Sequence, residues 1–250
     1  MSINEFGELG RLWNGNFNSE NVDGEKIQEL HDYINTLYRS EAKHALYTPI
    51  VFDNQVLYEG NRKHEDQFRF DYIDVKDKTV VDLGCNNGYS SFIFAENGAK
   101  RVVAIEKELH IGKTLELVAD IKDLPNVETY VGDWNDYFKE NDEVFDVAVF
   151  TSIFNNSGVL NVLDSSLLSC AKTWYVEPTN HTDNHSSTMF STKVERFELS
   201  TEEIKEWGEK ELSKYGEVEF LTYTDYQNRG LFKLVVEWKS IYTIFIYESE

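Results

Sequence analysis

The stretch Thr79-Val-Val-Asp-Leu-Gly-Cys-Asn-Asn-Gly-Tyr-Ser90 decides the fold. Its β-branched opening ends at Asp82, the chain turns at Gly84 and Gly88, and an apolar, helix-compatible run from Ser90 to Glu96 follows at once. Strand, glycine loop and helix in that order make the corner where a parallel α/β sheet brings main chain against a nucleotide-like ligand. Gly84 and Gly88 supply bare backbone where a side chain would collide with such a ligand or force an unfavourable φ.

The next strand, Arg101-Val-Val-Ala-Ile-Glu106, carries Glu106 to its carboxyl end. An acidic residue roughly 20 positions past the glycine loop is placed to accept hydrogen bonds from ribose hydroxyls. Together these residues resemble the class I S-adenosylmethionine-dependent methyltransferases. The loop is similar to that family's Asp-x-Gly-x-x-x-Gly variant, with Asn86 where a nicotinamide-type fingerprint would want its middle glycine. The resemblance implies S-adenosylmethionine as cofactor. It also implies a doubly wound, Rossmann-like α/β fold with a seven-stranded sheet whose last strand is antiparallel.

The rest of the chain supports that alternation. Strands are expected at 79–83, 101–106, 126–131 and 144–150, with helices around 88–97 and 108–120 between the first three. A helix over 158–172 should lead to a fifth strand from Trp174, stopped by Pro178. Ser200 to Tyr215 reads as a charged amphipathic helix that opens on a capping-box pattern, Ser200-Thr-Glu-Glu. Val218–Thr224 and Leu231–Trp238 read as a hairpin. Residues 241–247 form an additional apolar strand that either extends the sheet edge or pairs between subunits of a homodimer. Residues 1–70 do not read as sheet. Ile27, Leu30, Ile34 and Leu37 make a helical stripe, so this part is expected to be a mostly helical cap on a methyltransferase domain spanning 71–250.

Composition narrows the function. Across 250 residues, 45 acidic against 24 basic side chains give a net charge of −21. That balance opposes electrostatic capture of a phosphate backbone. It favours a small-molecule or sugar-like acceptor over tRNA or another RNA. No apolar run approaches a membrane span, the polar N-terminus lacks a signal-peptide pattern, and only Cys85 and Cys170 are present. A cytoplasmic protein is the expectation.

Ligands of open α/β sheets lie beyond the carboxyl ends of the strands, which selects the candidate site residues. By the resemblance, Asp82, Gly84, Cys85, Asn86 and Gly88 wrap the methionine portion and ribose, and Glu106 holds the ribose. Lys107 lies along the adenine, Asp133 accepts from its amino group, and Trp134 either walls the ring or packs in the core. Thr151, with Ser152, contacts the region of the sulfonium. Arg62 or Arg69, just before the core, could pair with the cofactor carboxylate through a planar guanidinium. Methyl transfer to an acceptor asks mainly for positioning, and for a base only where the acceptor keeps its proton. His181 and His185, flanking Asp183 in the loop after the fifth strand, are the candidates for acceptor binding or general base. No metal site is expected. Asn155 and Asn156 are candidates for orienting substrate. The nicotinamide-dependent oxidoreductase reading is disfavoured by Asn86 and Asp133; a non-catalytic cofactor-binding subunit is the remaining alternative.

Overall fold

A computed structural model describes residues 23–39, 46–53, 55–60, 62–151, 165–178, 200–224 and 229–236. At its centre stands the sheet foreshadowed by Thr79–Ser90. Strands β3 (Thr79–Leu83), β4 (Arg101–Glu106), β5 (Val127–Val131), β6 (Phe145–Thr151) and β7 (Ala171–Glu177) run parallel. With β8 (Gly216–Thr224) and β9 (Arg229–Val236) they form one seven-stranded sheet in the order β5-β4-β3-β6-β7-β9-β8. The last strand among the described residues, β9, is antiparallel to both its neighbours. The central strands are near-continuous apolar runs because helices leave neither face to water. Val80, Val81, Val102, Ala104, Val147 and Val149 are all buried.

The order reverses at β3, whose neighbours are β4 on one side and β6 on the other. That reversal opens the crevice in which this kind of sheet takes its ligand. Helices α2 (Tyr89–Glu96), α3 (Leu109–Lys122) and α4 (Trp134–Glu140) follow β3, β4 and β5. The short α5 (Ser165–Leu168) precedes β7, and α6 (Thr201–Leu212) precedes the final hairpin. At the start of α6 both capping-box bonds are made: the Ser200 hydroxyl accepts from Glu203 N, and the Glu203 carboxylate accepts from Ser200 N at 2.7 Å. Trp174 lies fully buried at the core of the sheet's α4–α6 side, edge-on to Phe150 with ring centroids 6.4 Å apart.

The N-terminal stripe forms α1 (Gly24–Arg39), which buries Leu30 and Ile34 and packs on α3. Its flank is tied down where Tyr33 Oη donates to the His110 carbonyl at 3.0 Å. Two expectations need correcting. The first 70 residues are not free of sheet: Ile50–Phe52 (β1) and Gln55–Tyr58 (β2) pair as an antiparallel hairpin, and a 3-10 helix, His64–Tyr72, follows. The helix expected over 158–172 also stops earlier at its C-terminal end: the described helix, Ser165–Leu168, ends before Ala171, which pairs with Phe145 as the first rung of β7, and residues 158–164 lie outside the described residues. The extra strand at 241–247 lies outside the described residues.

Candidate cofactor and acceptor site

Everything at the crevice starts from the turn after β3. Gly84, Asn86 and Gly88 have φ values of 69°, 56° and 85°, so the loop is wound through the left-handed region at every second residue. Glycine is strain-free there, and asparagine is among the few other residues that tolerate it. Gly84 N and Cys85 N both donate to the Ile105 carbonyl, at 2.8 and 3.0 Å, which pins the loop to the end of β4. Gly88 has a second constraint: a Cβ there would sit 2.5 Å from Leu115 Cδ1 and 2.6 Å from a Phe92 ring carbon.

The loop meets the acid expected to face it. Glu106 Oε2 accepts from the Asn86 N–H at 2.9 Å, and Oε1 accepts from the Glu108 N–H at 2.8 Å. Burial raises the Glu106 carboxyl above its ordinary range, while these backbone N–H groups pull the other way. An ionised carboxylate offers about four lone-pair directions, so bonds to these two N–H groups leave acceptor capacity for a ribose diol. Gly132 N donates to the Glu106 carbonyl at 2.9 Å, bringing the turn after β5 against the same point. There Lys107 Nζ lies 2.9 Å from Asp133 Oδ2, and Asp133 Oδ1 accepts from Asn135 N as the N-cap of α4. The Lys107 ammonium holds the Asp133 carboxyl below its usual range.

Asp82 behaves differently from the rest. Its carboxylate is buried, and one oxygen, Oδ2, accepts from both Ser90 Oγ at 2.6 Å and Ser91 Oγ at 2.7 Å. Burial pushes it up to about 6, the two serine hydroxyls oppose that rise, and the nearby charge of Glu106 adds to it. In these contacts Asp82 fixes the entry into α2. Cys85 likewise contributes main chain to the loop, while its buried thiol packs in the cluster with Phe92 and Leu115 and is pushed well up by burial. Trp134 is half-buried, edge-on to Phe150 at 6.0 Å, and Thr151 ends β6 beside Glu177, its register partner.

Sequence reasoning missed a strap over the loop. Tyr47 N donates to Asn86 Oδ1 at 3.3 Å, Asn87 Nδ2 donates to the Thr48 carbonyl at 2.8 Å, and the Thr48 hydroxyl bonds Asn87 Oδ1. Arg62 N in turn donates to the Tyr47 carbonyl at 2.8 Å. The guanidinium of Arg62 reaches Glu177, Nη2 to Oε1 at 2.8 Å, with both side chains at 0% exposure. Arg69 Nε lies 2.8 Å from Oε2, and Arg229 Nη1 lies 3.5 Å from Oε1. Glu177, an acid at the carboxyl end of a parallel strand, carried the same sequence signal as Glu106. Arg229 gave none. His181, His185, Asp183, Ser152, Asn155 and Asn156 lie outside the described residues.

A family model for the methyltransferase domain matches residues 74–213, more than half of the chain. The chain belongs to the class I methyltransferase superfamily. Its domain is of the S-adenosylmethionine-dependent kind, and the donor set suits that cofactor: bare main chain at 84–88, acceptors at Glu106 and Asp133. The fold agrees with that of WbdD, a bifunctional kinase-methyltransferase, at a TM-score of 0.55 and 19% identity over 81% of this chain and 46% of that one. It also agrees with the N-terminal domain of EvdMO1, solved in the presence of S-adenosylhomocysteine and D-fucose. There the TM-score is 0.53 at 12% identity, over 88% of this chain and all of that one. Among curated proteins, the tRNA U34 carboxymethyltransferase of Helicobacter pylori is 41% identical over 49 residues, 20% of this chain and 19% of that protein. The chain thus spans about a fifth of that relative and under half of the WbdD chain. Among the described residues no helix is long and apolar enough to cross a membrane.

Proposed function

We propose that this chain transfers a methyl group from S-adenosylmethionine to a small-molecule or sugar-like acceptor. The observation that carries the reading is the joint between the glycine loop and Glu106, Asn86 N to Oε2 at 2.9 Å, at the point where the strand order reverses. In this reading the main chain of 84–88 receives the methionine portion, and Glu106 accepts from the ribose. Asp133 accepts from the adenine amino group with Lys107 beside it, Trp134 walls the ring, and Thr151 approaches the sulfonium. Arg62 acts from behind through its hold on Tyr47 and hence on Asn86. When bound, the cofactor supplies an electrophilic methyl on a good leaving group. The chain's own task is then to orient the acceptor and exclude water. His181 and His185 are proposed to bind the acceptor or take its proton.

A net charge of −21 supports a small acceptor, and the EvdMO1 domain solved with D-fucose makes a sugar a reasonable first choice. The short stretch shared with the Helicobacter pylori tRNA enzyme supports tRNA as the second reading. Thermal unfolding tests the cofactor: a ligand at about 100 times its Kd stabilises by about 2.7 kcal/mol. S-adenosylmethionine and S-adenosylhomocysteine should raise the melting temperature and NAD should not; the reverse pattern overturns the reading. A methyl-labelled donor incubated with metabolite and tRNA fractions then separates the two acceptors.

A further inference from the structure

Glu177 sits at the carboxyl end of β7, paired in register with Thr151 at the end of β6. Apart from Thr151 at the end of β6, the proposed cofactor residues follow β3, β4 and β5, so the β7 side is left for the acceptor. Arg62, Arg69 and Arg229 converge there on one carboxylate, and all four side chains are 0–1% exposed. Arg62 and Arg229 share Oε1, while Arg69 faces Oε2. Arg62, Arg229 and Glu177 make further contacts of their own.

Arg69 is under-satisfied. Its Nε is close to Oε2 without hydrogen-bond alignment, its Nη1 makes no hydrogen bond, and both atoms are buried. The guanidinium lies over the Phe70 ring, Cζ 4.3 Å from the centroid. A buried donor without an acceptor is costly, and more so when charged. The loss of a guanidinium's hydration is repaid by an ion pair only when the geometry is excellent. Burying three guanidiniums side by side is a poor way to fasten a fold. It is a good way to hold an oxyanion, which the planar fork of arginine grips through paired N–H groups. Glu177 shows that the spacing already accommodates one.

We infer that the Arg62–Arg69–Arg229 cluster receives an oxyanion, a carboxylate or a phosphate, carried by the methyl acceptor. This rests on the methyltransferase reading above and deepens it, because the anion would orient the acceptor from the β7 side while the methyl donor lies on the β3–β4 side. All four side chains are buried, so the anion would take the place of the Glu177 carboxylate among the guanidiniums. The chain's overall negative charge repels free anions, so recognition depends on this local concentration of positive charge.

The test uses the full chain saturated with S-adenosylhomocysteine. Inorganic phosphate and acetate are titrated separately at constant ionic strength, with chloride as control, by calorimetry and by the 15N signals of the buried arginine Nε–H groups. One saturable site that shifts those arginine signals supports the inference, and the tighter of the two anions names the acceptor group. Arg69→Gln and Arg229→Gln should each weaken that binding at least tenfold, while affinity for S-adenosylhomocysteine stays within twofold. Should the variants fail to fold, the arginine signals of the wild-type chain still decide the matter. Unmoved arginine signals at saturating anion overturn it. So does competition between phosphate and S-adenosylhomocysteine, which would give the cluster to the cofactor's own carboxylate. If S-adenosylhomocysteine does not bind at all, the methyltransferase reading fails instead, and the two failures are told apart.

Discussion

Asp82→Asn should leave the fold intact and change how stability responds to pH. Both serine hydroxyls donate to the same oxygen, Oδ2, so an asparagine that turns its carbonyl oxygen to that place keeps both bonds. The variant loses only the buried charge. In the folded chain the Asp82 carboxyl titrates at about 6, up from 3.8, because burial penalises the ionised form. Between these two values the folded state binds the proton and the unfolded state has lost it. Unfolding stability therefore falls as pH rises through this window. The contribution is full below about 4 and gone above the folded value. A gap of roughly two pH units, at about 1.4 kcal/mol each, amounts to about 3 kcal/mol. Other carboxyls titrate over the same range, so the quantity to measure is the difference between wild type and variant. Urea unfolding of both proteins at intervals from pH 4 to pH 8 gives it directly. The stability of wild type relative to Asp82→Asn should decline by about 3 kcal/mol across pH 4–6 and then level off. A flat difference curve would show that Asp82 is not desolvated in solution, and would return it to the open crevice as a ligand-facing group.

Glu106→Gln replaces one backbone-accepting oxygen with an amide NH2 and removes the charge that would receive the ribose. A hydrogen bond to a charged group contributes about 1.5–3 kcal/mol, so calorimetry should show S-adenosylhomocysteine binding weakened about 10- to 100-fold; unchanged affinity removes Glu106 from the site. Gly88→Ala puts a Cβ at a φ of 85° and within 2.6 Å of Leu115 and Phe92 atoms, so urea unfolding should register a loss of about 1–3 kcal/mol. A loss below 0.5 kcal/mol would mean that the turn relaxes freely. Ser200→Ala removes one half of the capping box on α6 and should cost about 1 kcal/mol in the same assay, independent of any ligand.

How far the sequence discloses this molecule depends on the distance over which each determinant acts. The β3–α2–β4 corner was legible because everything that makes it lies in 28 consecutive residues, Thr79 to Glu106: β-branched runs, two glycines, one terminal acid. The α6 start was legible because its capping box closes over four residues. The hairpin β1–β2 had a local signal as well. Ile50-Val-Phe and Gln55-Val-Leu-Tyr flank Asp53-Asn54, a turn pair, and Asp53 takes a φ of 46°. That signal was outweighed by the longer helical stripe of α1 just before it. Helix α4 was hidden for a different reason: Asp133 was read as a ligand for adenine, and its second role, accepting from Asn135 N to start a helix, went unseen.

The arginine cluster belongs to a third kind, which no local pattern reveals. Arg62 and Glu177 stand 115 positions apart, and Arg229 arrives from a strand that runs antiparallel to β7. Each alone reads as a solvated surface charge, the ordinary fate of Arg and Glu. Only the sheet order brings them together, by placing β7 between β6 and β9. The same order sets Glu177 level with Thr151, buried at the carboxyl ends of the parallel strands. A strand end that positions one carboxylate for three guanidiniums therefore ties the strap at 46–62 to the far half of the sheet. Through Tyr47 and Asn86 it ties that half to the glycine loop after β3.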